Sequence, residues 1–259
     1  MSDTLNPLAD VIARQFISRS DVKAVQHHNG IYTPDRTPFT RDDLLAHLRG
    51  TKTFGHYMVG LDDTTKLFAF DIDLAKGPDL ARPETIHPAA RRDENGDLIL
   101  TSPRGEWKRA DSPYLGELTT ILRCVGGALA IRTRDLLGHR VAISYSGSKG
   151  LHVYAFFAEP MNAGEAREQA WFVLESFGSF ERFRGQNFWR HSTACPEIEI
   201  ETFPKQAGME GKELGNLMRL PLGIHRVNEE RGFMVDPSLP DDQLEPLSDP
   251  LTALVEGNV

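Results

Sequence analysis

The segment Lys66–Asp73 constrains the fold most, because it ends an otherwise apolar run with two carboxylates. It reads Lys-Leu-Phe-Ala-Phe-Asp-Ile-Asp, and this short, aromatic and apolar composition predicts a buried strand. Side chains alternate along a strand, so Asp71 and Asp73 should project from the same face. Two neighbouring anions repel each other, and a divalent cation such as Mg²⁺ or Mn²⁺ is the simplest remedy. The alternative is an ordinary solvent-facing strand end before a turn.

A second polar segment, Ser146–His152, joins two strand-like runs at Val141–Tyr145 and Leu151–Phe157. It reads Ser-Gly-Ser-Lys-Gly-Leu-His, and its glycines permit a tight turn in which backbone N–H groups approach an anion. Two hydroxyls, an ammonium and an imidazole beside those amides would suit a phosphate group. The spacing is not that of a Walker A loop. The alternative is a hairpin turn with polar side chains and a buried core histidine.

A third segment, Glu197–Gln206, alternates isoleucines with three glutamates and then reads Thr-Phe-Pro-Lys-Gln. This pattern predicts a strand at Ile198–Phe203, and an edge strand protected by charge would look the same. Glu201 would complete a carboxylate triad with the two aspartates, as two metal ions roughly 4 Å apart require in phosphoryl transfer. Glu199 projects from the same face and is the alternative third ligand.

The three segments together resemble motifs I, II and III of the archaeo-eukaryotic primase superfamily, and most closely its stand-alone primase-polymerases. The second segment is also similar to the polymerase domain of bacterial end-joining ligases. Two flanking segments, Thr51–Tyr57 and Gly215–Arg226, fit the primase-polymerase pattern. The resemblance runs from about Phe16 to Arg226, which is most of the chain.

The resemblance implies a DNA primase-polymerase, a nucleotidyltransferase that adds nucleotides from NTP or dNTP to a strand copied from a DNA template. It implies two lobes, an N-terminal α/β lobe and an RRM-like lobe, with the active site in the cleft. By the same resemblance, Asp71, Asp73 and Glu201 would hold two Mg²⁺ or Mn²⁺ ions. The residues implied in nucleotide binding are Ser146, Ser148, Lys149, Gly150, His152, Lys205, Arg219 and His225.

The stretch Ser179–His191 interleaves aromatic residues with arginines. Aromatic rings beside basic groups suit a single-stranded or primed DNA template, and the residues expected to contact it are Arg182, Arg184, Trp189 and Arg190. The alternative is a loop that packs its aromatic rings into the core. His191 and Cys195 do not predict a zinc site, because two further ligands at suitable spacing are missing.

Two rival functions follow from the same residues. A metal-dependent nuclease also uses clustered carboxylates, but it has no need of a triphosphate-binding loop. A non-catalytic module that binds single-stranded DNA is disfavoured, because carboxylates near DNA hinder binding unless metal occupies them. A helicase or another replication, repair or defence protein would have to come from a separate chain or a longer parent.

The charge balance limits how nucleic acid can be bound. With 29 basic against 37 acidic residues, the 259-residue chain carries a net charge of −8, which excludes binding mainly through bulk positive charge. Any contact must be local or aided by metal ions. No apolar run approaches a membrane span and no secretory signal opens the chain, so we expect a cytoplasmic protein with no membrane partner.

The order of elements is mixed and predicts an α+β fold. Periodicity and capping signals predict helices that begin near Leu5, after Thr40, at Tyr114 and after Asn162. We expect a single catalytic domain, residues 1–259, with an N-terminal part at 1–60 and a core at 61–230. An acidic, proline-containing tail at 231–259 should be peripheral, and residues 75–113 should form one long irregular stretch.

Overall fold

A computed structural model describes residues 2–74, 90–92, 98–100, 115–192 and 198–259 of the chain. The helices in these ranges are α1 (Ser2–Phe16), α2 (Arg41–Arg49), α3 (Leu115–Leu137), α4 (Ala163–Glu175) and α5 (Pro250–Glu256). The first strands are β1 (Lys23–Gln26), β2 (Tyr32–Asp35), β3 (Phe54–Tyr57), β4 (Thr64–Leu74), β5 (Ala90–Arg92), β6 (Leu98–Leu100), β7 (Arg140–Tyr145) and β8 (Gly150–Asn162). The remaining strands are β9 (Phe180–Arg182), β10 (Phe188–His191), β11 (Ile198–Phe203), β12 (Leu217–Arg219), β13 (Ile224–His225), β14 (Glu230–Arg231) and β15 (Phe233–Met234).

A seven-stranded antiparallel sheet organises the fold, with strand order β15-β7-β8-β4-β11-β10-β9. The predicted strand β4 lies at its centre, between β8 and β11. Phe68, Phe70 and Ile72 project to one face, where they pack with side chains of α3 and α4 in one apolar cluster. Leu67 and Ala69 project to the other face and belong to a second cluster that includes α1.

A four-stranded antiparallel sheet, with order β12-β3-β1-β2, lies on that second face. Phe54 of β3 and Met218 of β12 share the second cluster with Ala69 and Tyr154 of the large sheet. The two sheets therefore pack against one shared core. This packing brings β12 to the end of β4 that carries the two aspartates.

Caps confirm two of the predicted helix starts, those of α2 and α4. The Thr40 hydroxyl accepts from the Asp43 N–H, and the Asp43 carboxylate accepts from the Thr40 N–H, so α2 begins with the expected capping box. Gly50 ends α2 with φ near +80°, a conformation that costs glycine little. The Asn162 side chain accepts from the backbone at the start of α4.

The segment from residue 231 onward differs from the peripheral position expected of it. Ala253 and Leu254 of α5 are fully buried in the second cluster. The buried Asn258 side chain accepts from the Ile143 N–H and donates to the carbonyls of Ile143 and Val235. The sequence of this segment does not predict these contacts. It is acidic and contains prolines, and α5 has only seven residues and shows no helical periodicity of its own.

The expected α+β mixture is confirmed, and the described strands pair in antiparallel sheets. Within the stretch expected to be irregular, β5 and β6 form an antiparallel pair. The rest of that stretch, like Glu197 and Cys195, lies outside the described residues. Across the described ranges, no helix has the length and apolar content that a membrane span requires.

Candidate active site

Asp71 lies at the centre of a cross-strand row on the second face of the large sheet. In the strand register it stands directly opposite His152 of β8 on one side and Glu201 of β11 on the other. Directly opposed residues of antiparallel strands share a face, with Cα atoms about 4.5–5.5 Å apart. His152 Nε2 lies 3.4 Å from an Asp71 carboxylate oxygen, and its Nδ1 is held 2.9 Å from the Tyr154 hydroxyl. Two of the predicted carboxylates and the predicted histidine are therefore brought together.

Asp73 begins a second row two residues further along β4. It stands opposite Gly150 of β8 and Glu199 of β11. A Cβ atom at Gly150 would overlap the Asp73 carboxylate and the Ile72 carbonyl oxygen, so only glycine fits at this position. Glu199 Oε1 is buried without a hydrogen-bond partner, and the nearest cation, Arg184, lies 3.7 Å away. Both glutamates considered as the third ligand thus lie on the carboxylate face.

Lysine ammonium groups neutralise two of these carboxylates. Lys149 Nζ lies 2.8 Å from Asp73 Oδ2 and donates to the Leu74 carbonyl at 2.6 Å. Lys205 Nζ contacts Glu201 Oε1. In the part of the chain that the structure describes, no three acidic, histidine or cysteine side chains are already gathered around a metal position. A cation entering this site would therefore compete with the lysines for the carboxylates.

The protonation of the carboxylates reflects this crowding. Burial acts to raise the pKa of Asp71, but neighbouring positive charge, that of His152 above all, outweighs it and holds the pKa below its usual value. Burial raises the pKa of Glu201, and the charges of the two aspartates add to this, although Lys205 opposes them. In this site the ionised form of Asp71 is stabilised, whereas ionisation of Glu201 is unfavourable, as expected where carboxylates lie close together.

The loop Ser146–Lys149 connects β7 to β8 and forms the wall beside Asp73. Ser146 Oγ accepts from the N–H groups of Ser148 and Gly150, each at 3.3 Å. Gly147 has φ near +73°, and a Cβ there would lie 2.9 Å from the Glu230 carbonyl oxygen. The two predicted strands form a hairpin whose tight turn depends on both glycines, and this turn is common to the phosphate-binding interpretation and to the alternative of a polar hairpin turn.

Residues from three distant parts of the chain line one open pocket of about 170 Å³. Its walls come from the end of β4, the β7–β8 hairpin, and the segment that includes β12 and β13. The Arg219 guanidinium donates to the Ser146 carbonyl and so joins the small sheet to the loop. Every lining residue was predicted from the sequence as a ligand of metal or nucleotide: Asp71, Asp73, Ser146, Ser148, Lys149, His152, Arg219 and His225.

Two residues that the sequence analysis missed support this pocket. Asn228 Nδ2 donates to Ser148 Oγ at 2.9 Å, which fixes the loop. Tyr32 of β2 lies beside Arg219, and burial raises its pKa to about 12. Asn228 lies two residues beyond the recognised segment Gly215–Arg226 and could have been found by extending it. Tyr32 lies on a short strand of mixed polarity and gave no signal.

The structure separates the four residues predicted to contact DNA. Trp189 is buried on the helix-covered face, with the Arg182 guanidinium 4.5 Å from its ring. The prediction for Trp189 therefore needs correction, because a buried ring cannot stack on a base. The prediction for Arg182 needs correction as well, because its guanidinium packs over the rings of Trp171 and Trp189 on the helix-covered face. Arg190 stands opposite Glu199, and Arg184 lies beside the same glutamate, so both arginines reach the carboxylate face.

The antiparallel sheet with its carboxylate rows and glycine-containing loop has the features of a primase-type domain. The family model described as "TOTE conflict system, Archaeo-Eukaryotic Primase domain" matches residues 11–256. This match spans nearly the whole chain, and the protein belongs to that family, which confirms the resemblance seen in the motifs. Membership indicates a primase or nucleotidyltransferase-like function. Among curated proteins, no sequence matches this chain.

Proposed function

We propose that the protein is a metal-dependent nucleotidyltransferase that extends a strand on a DNA template, using NTP or dNTP. The observation that carries the proposal is the register of β8, β4 and β11, which sets Asp71 between His152 and Glu201 beside the Ser146–Lys149 loop. Family membership supports the same class of reaction.

The donor set fits two Mg²⁺ or Mn²⁺ ions. Asp71, Asp73 and Glu201 offer only carboxylate oxygens, the ligands that these hard cations prefer. The Oε1 of Glu199 is buried and accepts no hydrogen bond, and its one ion-pair partner among the described residues, Arg184, lies 3.7 Å away; this supports Glu199 as an additional or alternative ligand. When bound, the ions would supply activation of the attacking hydroxyl and charge stabilisation of the leaving pyrophosphate.

The chain's own residues would bind and orient the triphosphate. Phosphoryl transfer needs mainly positioning and stabilisation of negative charge. The loop offers the Ser148 hydroxyl, His152 offers a ring nitrogen, and Lys149 and Arg219 add positive charge around one pocket. Tyr154 orients His152, since its hydroxyl lies 2.9 Å from the ring Nδ1 and leaves Nε2 directed at Asp71.

We also assign the two sheets to the two lobes of the primase fold, with the seven-stranded sheet as the RRM-like lobe. A pocket with Arg219 on one wall and Asp71 on the other supports this assignment. The family's description supports action within a conflict system, and we place that action in the cytoplasm as part of the same proposal. Helicase or other replication, repair or defence activities would then come from other chains or domains.

The test is extension of a labelled primer on a DNA template with Mn²⁺ and each nucleotide type. Wild-type protein should extend the primer, and the double variant Asp71→Ala with Asp73→Ala should not, while its thermal unfolding stays cooperative. The matched control is Glu168→Ala with Glu175→Ala, which removes two exposed carboxylates from α4 and should extend normally. Synthesis by the aspartate variant would overturn the proposal.

The same preparations separate the rival nuclease activity. Labelled DNA is incubated with Mn²⁺ and no nucleotide. Cleavage by wild-type protein that disappears in the aspartate variant, without any extension, would replace the transferase by a nuclease.

A further inference from the structure

We propose that the open face of the β9–β10 hairpin binds the single-stranded nucleic acid that the carboxylate site copies. We call this surface the stacking face and define it by Phe183, Arg184, Phe188 and Arg190. The template role rests on the proposed function, but the location of the surface is argued from strand register and contacts alone.

Strand register puts Phe188 and Arg190 on the carboxylate face, and contacts place Phe183 and Arg184 beside them. Phe188 stands directly opposite Glu201, and Arg190 stands directly opposite Glu199. Their neighbour Trp189 points the other way into the core. Side chains alternate along a strand. One set of side chains of the hairpin therefore packs into the core, and the other set lies on the same face as the carboxylates, next to Glu199 and Glu201.

Two aromatic rings stand together on this face. Phe183 and Phe188 form an edge-to-face pair with ring centroids 6.4 Å apart, and both side chains are partly exposed. Partly exposed rings on a sheet edge offer π-faces to unpaired bases, and such stacking tolerates any base sequence. A duplex keeps its bases stacked on one another, so these rings favour a single strand.

Exposed arginines flank the rings and supply charge for phosphates. The guanidinium groups of Arg184 and Arg190 lie 5.1 and 5.4 Å from the Phe183 ring centroid. Arg190 pairs with Glu181 at 3.0 Å, an exposed ion pair of the kind that contributes little and is easily exchanged. Arg184 lies 3.7 Å from Glu199, so each of the two arginines has a glutamate partner that a phosphate group would have to replace.

The stacking face is continuous with the proposed reaction site. Lys205 Nζ contacts Glu201 and lies 5.4 Å from the Phe188 ring centroid. Neighbouring strands lie about 4.8 Å apart, so a base stacked on Phe188 would be one strand away from Glu201. A strand bound here would lead directly to the carboxylates.

The first test measures binding of a fluorescent oligothymidylate by anisotropy, in EDTA and without nucleotide. The double variant Phe183→Leu with Phe188→Leu keeps apolar volume but removes both π-faces, and its Kd should rise about fivefold or more. Phe172→Leu is the matched control, since Phe172 is 51% exposed on α4 and away from the stacking face. Its Kd should equal that of wild-type protein.

The second test uses two arginines of the same hairpin that face opposite ways. Arg190→Gln should weaken binding and lower the slope of log K against log salt by about 0.7, the value for one phosphate contact on a single strand. Arg182→Gln removes the same charge on the helix-covered face and should leave the slope unchanged. Thermal unfolding of each variant confirms that the hairpin is intact.

The outcomes separate this inference from the proposed function. If wild-type protein binds the oligonucleotide and the leucine variant does not, the proposal that the stacking face binds single-stranded nucleic acid is supported even when no extension is seen. If wild-type protein extends primers but the leucine and glutamine variants bind and extend equally well, the stacking face is wrong and the transferase remains. Failure of wild-type protein to bind, or equal effects of Arg182→Gln and Arg190→Gln, would also overturn it.

Discussion

Along β4, the residues that face the helices stay apolar to the end of the strand, whereas those on the other face change from apolar to acidic. Phe68, Phe70 and Ile72 are fully buried against α3 and α4. Ala69 is equally buried on the opposite face, but Asp71 and Asp73 follow it there. One strand therefore fixes its own register with one set of side chains and presents carboxylates with the other.

This division explains how repelling anions can be held together. Dry packing of the helix-covered face supplies free energy of folding that does not depend on the carboxylates. The register of β8, β4 and β11 is then set by that packing, since a one-residue slip would turn every buried side chain outward. The side chains packed on the helix-covered face therefore hold the two acidic rows in position, as rigid packing does in precisely built sites.

The largest effect should come from Asp71→Asn, which keeps the shape of the side chain and removes its charge. We expect primer extension to fall at least about 10³-fold, because metal ions contribute several kcal/mol to the transition state. The free energy of unfolding should change by about 1 kcal/mol or less, since the pairing of Asp71 is partly solvent-exposed. Single-turnover kinetics and urea unfolding measure the two quantities, and a large loss of stability would contradict the division of faces.

Phe70→Ala, one residue away on the helix-covered face, should have the reverse effect. Removing this fully buried ring should lower the free energy of unfolding by about 3–5 kcal/mol. The folded fraction should still extend primers. Urea unfolding at constant pH tests this, and a loss below about 1 kcal/mol would show that the face is not tightly packed.

Gly150→Ala should disturb both faces, because its Cβ would overlap the Asp73 carboxylate and the Ile72 carbonyl. We expect a loss of about 1–3 kcal/mol in stability together with a loss of extension. Gly127→Ala is the control: its Cβ meets no atom of the described residues within 4 Å, and in a helix it should stabilise by up to about 1 kcal/mol. Equal behaviour of the two variants would remove the steric argument.

Lowering the pH should reduce the free energy of unfolding, because two histidines are buried in the core beneath the small sheet. Burial lowers the pKa of His47 to about 4 and that of His56 to about 3. The unfolded chain takes up these protons first as pH falls below about 6.5, so stability is complete above that pH and is lost towards pH 4. Each histidine should cost about 2 kcal/mol between pH 7 and pH 5.

Variant His47→Gln tests this pH dependence directly. Neutral His47 accepts from the Phe54 N–H at 3.0 Å and donates to the Pro221 carbonyl at 2.9 Å. Urea unfolding at pH 7 and pH 5 should show a smaller difference in the variant than in wild-type protein. The same difference in both would show that this ring does not titrate in the stated window.

The smallest effect should come from Asn228→Ala on the loop. Losing the hydrogen bond to Ser148 costs about 0.5–1.5 kcal/mol, which should raise the KM for nucleotide about two- to tenfold and leave kcat nearly unchanged. Steady-state extension kinetics measure both constants. An unchanged KM would mean that the loop is held without this contact.

Local signals accounted for the elements that carry the site. The strand at Ile198–Phe203 and the helix start at Thr40 depend only on residues close together in the sequence, so the sequence alone predicts them. The short strands of the small sheet have four residues or fewer and mixed polarity, and they form through long-range pairing. The position of Tyr32 depends on that pairing, so it was missed. The burial of Trp189 depends on the pairing of β10 with β9 and β11 in the large sheet, so its exposure was predicted wrongly.

The most direct test of the central claim is an anomalous-scattering map from crystals soaked with Mn²⁺ and a non-hydrolysable nucleotide. We expect manganese peaks within coordination distance of Asp71, Asp73 and Glu201 or Glu199, with phosphates against the Ser146–Lys149 loop. Manganese bound elsewhere, or a triphosphate that avoids the loop, would contradict the account.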